Sequence, residues 1–345
     1  MCDGSFHVSA AFDIRASEHA IGVGALGGEA WAVGSTYPGN GDYRIFGAHY
    51  DGEVWTELPE PRPETGAYIG YAADVDPTGV LWVVGEYLTG TTEAHLVLRW
   101  DGEQWERMDV PPVGREGGLY GIDAVSATEA WAVGAYEASG GGERGLMMHY
   151  DGSTWTVVDG IRRRWSSLYD VSLASSADGW ASARGPRRGI LLRWDGASWT
   201  RTDVTRIDYL HVGAVEAESA TRAWASASYE TGGGPPSGII LRWNGDSWRR
   251  AGAPDAPGAE GYYDMESAAG EVWAVGGRYR RREGWIPLAI ARDASGWSTV
   301  PIEDQGNGGS LEAVATTLEG AAWAVGPASV DGEQQLVVYN ACPPA

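Results

Sequence analysis

The chain has 345 residues, of which 47 are Asp or Glu and 25 are Lys or Arg, giving a formal net charge of −22. Every basic residue is Arg, because Lys is absent from the sequence. A chain this acidic lacks the dominant positive field that nucleic acids and anionic membranes require, so we exclude both as partners. No run of 18 apolar residues is present, so we expect no transmembrane segment.

One motif recurs along nearly the whole chain. Its third copy reads Ala130-Trp-Ala-Val-Gly134 and, after a loop, His149-Tyr-Asp-Gly-Ser-Thr-Trp155. The Trp of its first half recurs at intervals of 44 to 51 residues, at Trp31, Trp82, Trp131, Trp180, Trp224, Trp273 and Trp323. A period of this length is typical of solenoids, propellers and arrays.

Each copy predicts four short strands. The third copy has four apolar or β-branched segments, and Gly, Asp or Ser bounds each one. No window carries a helical apolar stripe, so we expect no helix. The Asp151-Gly152 pair between the third and fourth segments suits a two-residue hairpin turn with positive φ at both positions. Seven such units predict an all-β, seven-bladed propeller of four-stranded antiparallel blades, with residues 1–345 as one domain and the blades centred on the seven Trp residues.

The two ends of the sequence predict how the ring closes. The seventh copy stops before a fourth strand, and residues 1–10 align with the fourth-strand segment of the other copies, with His7 in the Trp position. We therefore expect the N-terminal strand to complete the last blade and to remove two open sheet edges. The same alignment brings Cys2 near Cys342, which favours a disulfide in an oxidising compartment. The alternatives are two free thiols, or Cys2 as the acceptor of a lipid anchor, because one thiol cannot carry both a lipid and a disulfide.

The repeat resembles two known propeller families. A hydrophobic strand ending in Gly, a loop, a Tyr before a turn and a Trp after it resemble kelch repeats. The Asp151-Gly-Ser-Thr-Trp155 run resembles the Asp-box of sialidase-type and photosystem-assembly-factor-type propellers. The chain departs from both patterns, since only Gly276-Gly277 keeps the kelch glycine pair and the Asp-box has one more residue before its Trp. The resemblance implies a propeller without choosing between the families.

Most of the 18 Trp residues belong to the repeat and should pack between blades. Trp165 and Trp285 stand outside it, so the fold does not require them. In a four-stranded blade, the loops after the second and fourth strands lie on one face around the central channel, and unrepeated aromatic residues concentrate there. We predict a ligand-binding site on this face from Trp165, Trp285, Tyr120, Tyr169, Tyr209, His211, Tyr262, Tyr263 and Arg280. Acidic residues accompany them in the same segments, namely Glu64, Glu116, Asp170, Asp208, Glu260, Asp264 and Glu312.

No recognisable catalytic set is present, and we name no catalytic residue. The six His residues lack the spacing of a zinc site, so we expect no metal, and no phosphate-binding loop or other feature implies a cofactor. Arginine runs such as Arg162–Arg164 and Arg280–Arg282 could clamp carboxylates or phosphates, or could be solvated loops.

The sequence therefore favours a non-catalytic binding or scaffold propeller whose loop face recognises a protein or a glycan. The alternative is a glycan-active hydrolase or lyase with a carboxylate, Tyr and Arg site at the channel mouth. We expect an extracytoplasmic protein, secreted, periplasmic or a surface lipoprotein, of a bacterium with a GC-rich genome.

Overall fold

The computed structural model describes residues 5–13, 20–37, 43–63, 65–90, 92–161, 167–185, 189–202, 204, 210–229, 237–254, 256–257, 259–280, 284–303, 308–330 and 333–341. Within these ranges the chain forms strands, turns and loops, and no helix. The strands make seven antiparallel sheets in a ring, so the predicted all-β, seven-bladed propeller is confirmed.

The blades follow one another along the chain. Blade 1 has β2 (Ala20–Leu26), β3 (Glu29–Thr36), β4 (Arg44–Tyr50) and β5 (Trp55–Glu57). Blade 2 has β6 (Ala67–Val75), β7 (Leu81–Thr89), β8 (Thr92–Trp100) and β9 (Trp105–Arg107). Blade 3 has β10 (Gly117–Ser126), β11 (Glu129–Glu137), β12 (Glu143–Tyr150) and β13 (Trp155–Val157). Blade 4 has β14 (Ser167–Ser175), β15 (Asp178–Arg184), β16 (Gly189–Trp194) and β17 (Trp199–Thr202).

Blade 5 has β18 (Leu210–Ser219), β19 (Arg222–Tyr229), β20 (Ser237–Trp243) and β21 (Trp248–Arg250), and β22 (Ala256–Pro257) pairs with the start of β20. Blade 6 has β23 (Ala259–Ala268), β24 (Glu271–Arg280), β25 (Gly284–Asp293) and β26 (Gly296–Thr299). Blade 7 has β27 (Ala313–Thr316), β28 (Ala322–Val330) and β29 (Glu333–Ala341), and its outer strand is β1 (His7–Asp13).

The predicted ring closure is confirmed, with one correction to its register. Strand β1 pairs with β29 so that His7 lies opposite Asn340. Asn340 lies opposite Trp323, as His149 lies opposite Trp131, and the partner of His149 is Thr156. Phe6, rather than His7, therefore occupies the Trp position. Phe6 is fully buried against the Trp273 ring with 5.4 Å between centroids, whereas His7 is exposed.

The core of the ring lies between blades. The Trp of the second strand packs on aromatic side chains from the outer half of the next blade. Trp82 contacts Tyr150 at 5.4 Å and Trp155 at 6.1 Å between ring centroids, and Trp180 contacts Trp248 at 4.8 Å. Large aromatic surfaces buried at each junction explain why the motif needs Trp at these positions in successive blades.

The turn between the third and fourth strands differs from the predicted two-residue hairpin. Tyr150 pairs with Trp155, which leaves four residues in the loop, and Gly152 has positive φ while Asp151 does not. The Asp151 Oδ1 atom instead accepts hydrogen bonds from the backbone N–H groups of Ser153 and Thr154 at 2.9 and 2.8 Å. These bonds, together with one from the Ser153 hydroxyl at 2.8 Å, lower the pKa of Asp151 to about 2. The repeated Asp is therefore a turn-stabilising residue.

Candidate functional site: the central channel and its mouth

The first strands of the blades surround a central channel of about 1020 Å³. Its wall is built from the first strands of all seven blades, and the loops after the second and fourth strands lie around one end, which we call the mouth. Pockets of this volume are typical of ligand sites in proteins. The channel is therefore the candidate site, and its lining can be assigned strand by strand.

A β-bulge in the first strand directs a tyrosine to the mouth in four blades. The register of β6, β10 and β14 shifts at Tyr71, Tyr120 and Tyr169, and that of β23 shifts at Tyr263. All four tyrosines line the channel. A bulge leaves one residue unpaired and re-aims its side chain, so the same backbone irregularity produces the same placement each time. We call these four residues the tyrosine ring.

In three of these four blades the strand-ending glycine of the repeat lies against the backbone beside the bulge. A Cβ atom on Gly134 would lie 2.0 Å from the carbonyl oxygen of Gly118, next to the bulge at Tyr120. Gly85 and Gly276 are equally close to carbonyl oxygens beside the bulges of blades 2 and 6, at 1.9 and 2.2 Å. Only glycine fits beneath a backbone at these distances. The repeated Gly therefore accommodates the bulge in blades 2, 3 and 6, whereas blade 4 forms its bulge beside Ala183.

Two members of the tyrosine ring, in blades 2 and 3, are in direct contact. The rings of Tyr71 and Tyr120 meet edge to face with 5.5 Å between centroids, and Tyr71 hydrogen-bonds the Glu86 carboxylate. Burial and the negative charge of Glu86 raise the pKa of Tyr71, and the same two causes raise that of Tyr120 to about 12. Both hydroxyls therefore stay protonated and can donate hydrogen bonds at any physiological pH.

Deeper in the channel lie six carboxyl side chains, one or two from each blade between 2 and 6. They are Asp74, Asp123, Asp170, Glu216, Asp264 and Glu266. Four of them occupy one repeated position, directly opposite the Trp of the second strand: Asp74, Asp123, Glu216 and Glu266 face Trp82, Trp131, Trp224 and Trp273. Within the same slot, blade 4 has Ser172.

Most of these carboxylates join one blade to the next. Asp74 accepts a hydrogen bond from Ala124 N at 2.7 Å, and Asp123 accepts one from Leu173 N at 2.5 Å. Asp170 and Asp264 make the same bond to Val215 N and Val314 N, both at 2.8 Å. In each case the donor is a backbone N–H on the first strand of the following blade, which a buried strand edge would otherwise leave unsatisfied. We call these bonds carboxylate latches.

Glu216 and Glu266 are not latches. Glu216 accepts bonds from the Ser172 hydroxyl of blade 4 at 3.1 Å and the Ser267 hydroxyl of blade 6 at 2.6 Å, so it bridges its two neighbours. Glu266 has no hydrogen-bond partner within the described part of the chain. Among the six acids, its carboxyl group is thus the one that makes no hydrogen bond to a neighbouring blade.

Burial is the main cause of raised pKa values throughout this group. It raises the pKa of Asp74 and Asp264 to about 6, that of Glu216 to about 7 and that of Asp170 to about 8. The pKa values of Asp123 and Glu266 are raised well above the usual range by burial, with added repulsion from Asp74 and Glu216 respectively. A neutral carboxyl is favoured where water is scarce and other acids are near.

The wall formed by blades 7 and 1 is different. The slot opposite Trp is Gly24 in blade 1 and Ala315 in blade 7. A Cβ atom on Gly24 would lie 2.2 Å from Val75 Cγ2, and one on Gly22 would lie 2.9 Å from Ala73 Cβ. The first strands of blades 1 and 2 therefore approach so closely that no side chain fits between them.

The structure brings together some of the predicted site residues. Tyr120, Tyr169, Tyr263 and the exposed His211 line the channel. Tyr262 also borders it, but its side chain is 5% exposed in the core and its hydroxyl donates to Pro254 O at 3.0 Å. Sequence position alone did not separate Tyr262, whose side chain lies in the core, from Tyr263, which occupies the bulge and lines the channel.

Other predicted site residues lie elsewhere. Trp285 and Arg280 lie on the β24–β25 hairpin of blade 6, where Trp285 packs edge to face on Tyr279 at 5.7 Å and Arg280 is exposed. Neither lines the channel within its described wall. Trp165, Tyr209, Cys2 and Cys342 lie outside the described residues, so the proposed disulfide also falls there.

Sequence reasoning missed Tyr71 and four of the acids, namely Asp74, Asp123, Glu216 and Glu266. The signal for Tyr71 was present, because Tyr71, Tyr120 and Tyr169 stand 49 residues apart. The acids occupy a repeated slot that also accepts Gly, Ser and Ala, which conceals it in the sequence. Within the described residues, no group of acids and histidines has the geometry to hold a metal ion, and no helix could span a membrane.

Comparison with known proteins shows the fold and no family. No protein-family model and no curated protein matches the chain. A protein of unknown function from Dyadobacter fermentans DSM 18053 is 12% identical with TM-score 0.54, covering 97% of this chain and 98% of that one. YCF48 bound to D1 peptide is 13% identical with TM-score 0.57, covering 96% of each chain. The polysaccharide lyase PL25-Ulvanlyase bound to -[GlcA(1-4)Rha3S]- is 11% identical with TM-score 0.60, covering 96% and 95%. At these identities the likeness establishes the propeller alone.

Proposed function

We propose that the protein is a non-catalytic binding propeller that takes an extended segment of a partner protein at the tyrosine ring. The observation that carries this proposal is the repeated bulge. In four blades it places a tyrosine at the channel mouth, and the wedges between blades, where the core lies, do not require it there. Tyrosine offers a large apolar face and a hydrogen-bonding hydroxyl at small entropic cost, which suits recognition of a chain.

A protein segment fits the lining better than an acidic glycan does. Carboxylates and tyrosine hydroxyls can accept and donate hydrogen bonds to peptide groups, while the described channel wall offers no cation to pair with acidic sugars. A propeller of similar fold was solved bound to a peptide, and another bound to -[GlcA(1-4)Rha3S]-. The first of these precedents supports a peptide ligand here.

The test is a peptide array and a glycan array probed with wild type and with Tyr71→Ala/Tyr120→Ala. The matched control is Tyr37→Ala, since Tyr37 is also exposed but packs on Tyr43 outside the channel. We expect peptide hits that the double variant loses by at least tenfold and that the control keeps. Hits that the double variant retains, or hits confined to glycans, would overturn the proposal.

A second candidate function, a glycan-active hydrolase or lyase, is supported by one observation. The pKa of Asp170 is raised to about 8, chiefly by burial and then by Asp264, and a carboxyl that is protonated near neutral pH can act as a general acid. Release of reducing ends or unsaturated sugars from a glycan panel, abolished in Asp170→Asn, would support this candidate. Silence across the panel would leave Asp170 as a latch alone.

Three further proposals concern family and location. The Asp151 turn supports kinship with Asp-box or kelch-type propellers, and the alignment of Cys2 with Cys342 suits an oxidising compartment outside the cytoplasm. Cys2 would there carry a disulfide to Cys342 or a lipid. Intact mass spectrometry of the natural protein, before and after reduction, distinguishes a disulfide from a lipid and from two free thiols.

A further inference from the structure

We propose that the segment bound at the tyrosine ring is cationic, with a lysine-type or arginine-type side chain entering the channel mouth. This inference rests on the proposed function and names the chemical class of its ligand. Two independent features support it. One is the aromatic lining of the mouth, and the other is the sign of the charge below it.

The tyrosine ring itself suits a cation. Tyr71, Tyr120 and Tyr169 occupy corresponding positions in three adjacent blades, and Tyr263 faces the same mouth from blade 6. The faces of aromatic rings attract ammonium and guanidinium groups, and several rings around one space are the usual way in which proteins hold organic cations. Glu86 adds a carboxylate that hydrogen-bonds Tyr71 and increases the negative potential at the rim.

The acidic residues below the tyrosine ring also favour a cationic ligand. The described channel wall carries seven acidic residues, the six named above and Glu312, and no arginine. Lysine is absent from the whole chain, so no lysine can compensate. Walls of one sign around a narrow space focus the field, which attracts ions of the opposite charge and repels ions of the same charge. As the pH rises through the pKa values of these acids, an anionic peptide or glycan would therefore be repelled and a cationic one attracted.

Glu266 is the carboxyl group best placed to pair with an entering cation. The latches Asp74, Asp123, Asp170 and Asp264 already accept backbone hydrogen bonds, and Glu216 accepts two from serines. Glu266 has no hydrogen-bond partner among the described residues. A cation beside it would replace repulsion from the neighbouring acids with attraction, so Glu266 can bind without any latch being broken.

A consequence of this arrangement is that binding depends on pH. The acids that act on Glu266 are Asp74, Asp123 and Glu216 from other blades and Asp264 from its own strand, and His211 with the tyrosines lies at the mouth. Burial raises the pKa of each of these acids, so a bound cation must displace protons from them. Affinity should therefore increase from pH 5 to pH 8, and binding should release protons.

The experiment measures binding of three peptides by calorimetry at low and at physiological salt. The probes are hexalysine, hexaglutamate and a neutral Gly-Ser hexamer. We expect hexalysine alone to bind, at least tenfold more tightly at pH 8 than at pH 5, with heats that vary with the buffer because protons are released. Tyr120→Leu should weaken binding at least tenfold, and Tyr120→Phe should retain most of it because the ring face remains.

Two charge variants separate the channel from the surface. Glu266→Gln and Glu103→Gln each remove one acid, but Glu103 is exposed in an outer turn of blade 2. We expect Glu266→Gln to weaken hexalysine binding about fivefold at pH 8 and to flatten the pH dependence, and Glu103→Gln to change little. Equal effects of the two variants, or loss of binding at physiological salt, would overturn the proposal in favour of general attraction to an acidic protein.

The outcome distinguishes this inference from the proposed function. Tight binding of hexaglutamate or of the neutral peptide that requires Tyr120 would disprove the cationic ligand and keep the binding propeller. Failure of every probe here, together with peptide-array hits of neutral or acidic sequence that depend on Tyr71 and Tyr120, would do the same. Failure here with no tyrosine-dependent hit on either array would remove both.

Discussion

The two sides of the channel solve the same packing problem in different ways. In blades 2 to 6 carboxyl groups join the first strands through latches such as Asp123 to Leu173 N, and blades 3 and 4 also meet closely at Gly121, whose Cβ would lie 2.8 Å from Tyr169 O. In blade 1 the glycines Gly22 and Gly24 allow direct contact with Ala73 and Val75 of blade 2. The side formed by blades 2 to 6 gains hydrogen bonds and acidic groups, and the side formed by blade 1 gains direct van der Waals contact with blade 2.

The difference shows that the central carboxylates cannot be interpreted as a site on their position alone. Four of the six satisfy backbone N–H groups, which is a structural role, and their charge is a by-product that the channel then carries. A closed ring needs the first strands of neighbouring blades to pack together at every junction. Blade 1 does this with glycines, so acids are not the only means. Function is better sought in what the latches leave unused, which is the tyrosine ring and Glu266.

The largest expected effect is on stability, and it is produced by changing the pH through the range in which the channel carboxyl groups of blades 2 to 6 ionise. Because burial raises the folded-state pKa values of these acids, their protons bind more tightly in the folded than in the unfolded chain. Their stabilising contribution is complete below about pH 4 and is lost as pH rises through about 6 for Asp74 and Asp264, 7 for Glu216 and 8 for Asp170.

We expect the free energy of unfolding to fall by about 3 kcal/mol between pH 5 and pH 8, which corresponds to an average difference of about 0.7 bound proton over this range. Denaturant titrations at constant ionic strength measure it, and Glu266→Gln should reduce the fall. Stability that is flat or rising over this range would contradict the raised pKa values.

The second effect is a loss of stability from filling the close contact between the first strands of blades 1 and 2. Gly24→Ala forces a methyl group to within 2.2 Å of Val75 Cγ2, so we expect a loss of about 2 kcal/mol from overpacking. Val75→Ala in the same chain should recover part of that loss, and a double-mutant cycle measures the coupling between the two sites. Gly140→Ala is the control, because nothing lies within 4 Å of its Cβ position. An additive cycle would mean that the strands of blades 1 and 2 are not in close contact.

The smallest expected effect is the stability lost when a single carboxylate latch is removed. At pH 5 Asp123→Ala leaves Leu173 N without its acceptor, which should cost about 1 kcal/mol, and Asp123→Asn should cost less because its amide oxygen can still accept. At pH 8 the loss from Asp123→Ala should shrink, since removing an acid also removes repulsion. Thermal melts at the two pH values test this, and a larger loss at pH 8 would show that the latch is a charged one.

The sequence predicted the features that every blade repeats, and it missed residues whose role depends on a local irregularity within a blade. The strands, the outer turns and the closure by β1 follow from a repeated pattern of apolar and turn-forming residues. A bulge is invisible in that pattern, because one extra residue shifts the alternation without changing composition. The distinction between Tyr262 and Tyr263 was lost for this reason, whereas Tyr71 was missed although its 49-residue spacing from Tyr120 was visible in the sequence. The partners of Asp74 and Asp123 depend on how adjacent blades pack, which no single repeat encodes.

The strand exchange in blade 7 has a consequence for how the chain reaches this fold. Six blades consist of hairpins between neighbouring segments, whereas β1 must find β29 from the opposite end of the described chain. During synthesis β1 therefore remains without its partner until every other blade has emerged, and loop closure over such a distance is slow. We expect the blade 7 seam to be the last part of the ring to form and its sheet edge to be the place where an incomplete chain aggregates.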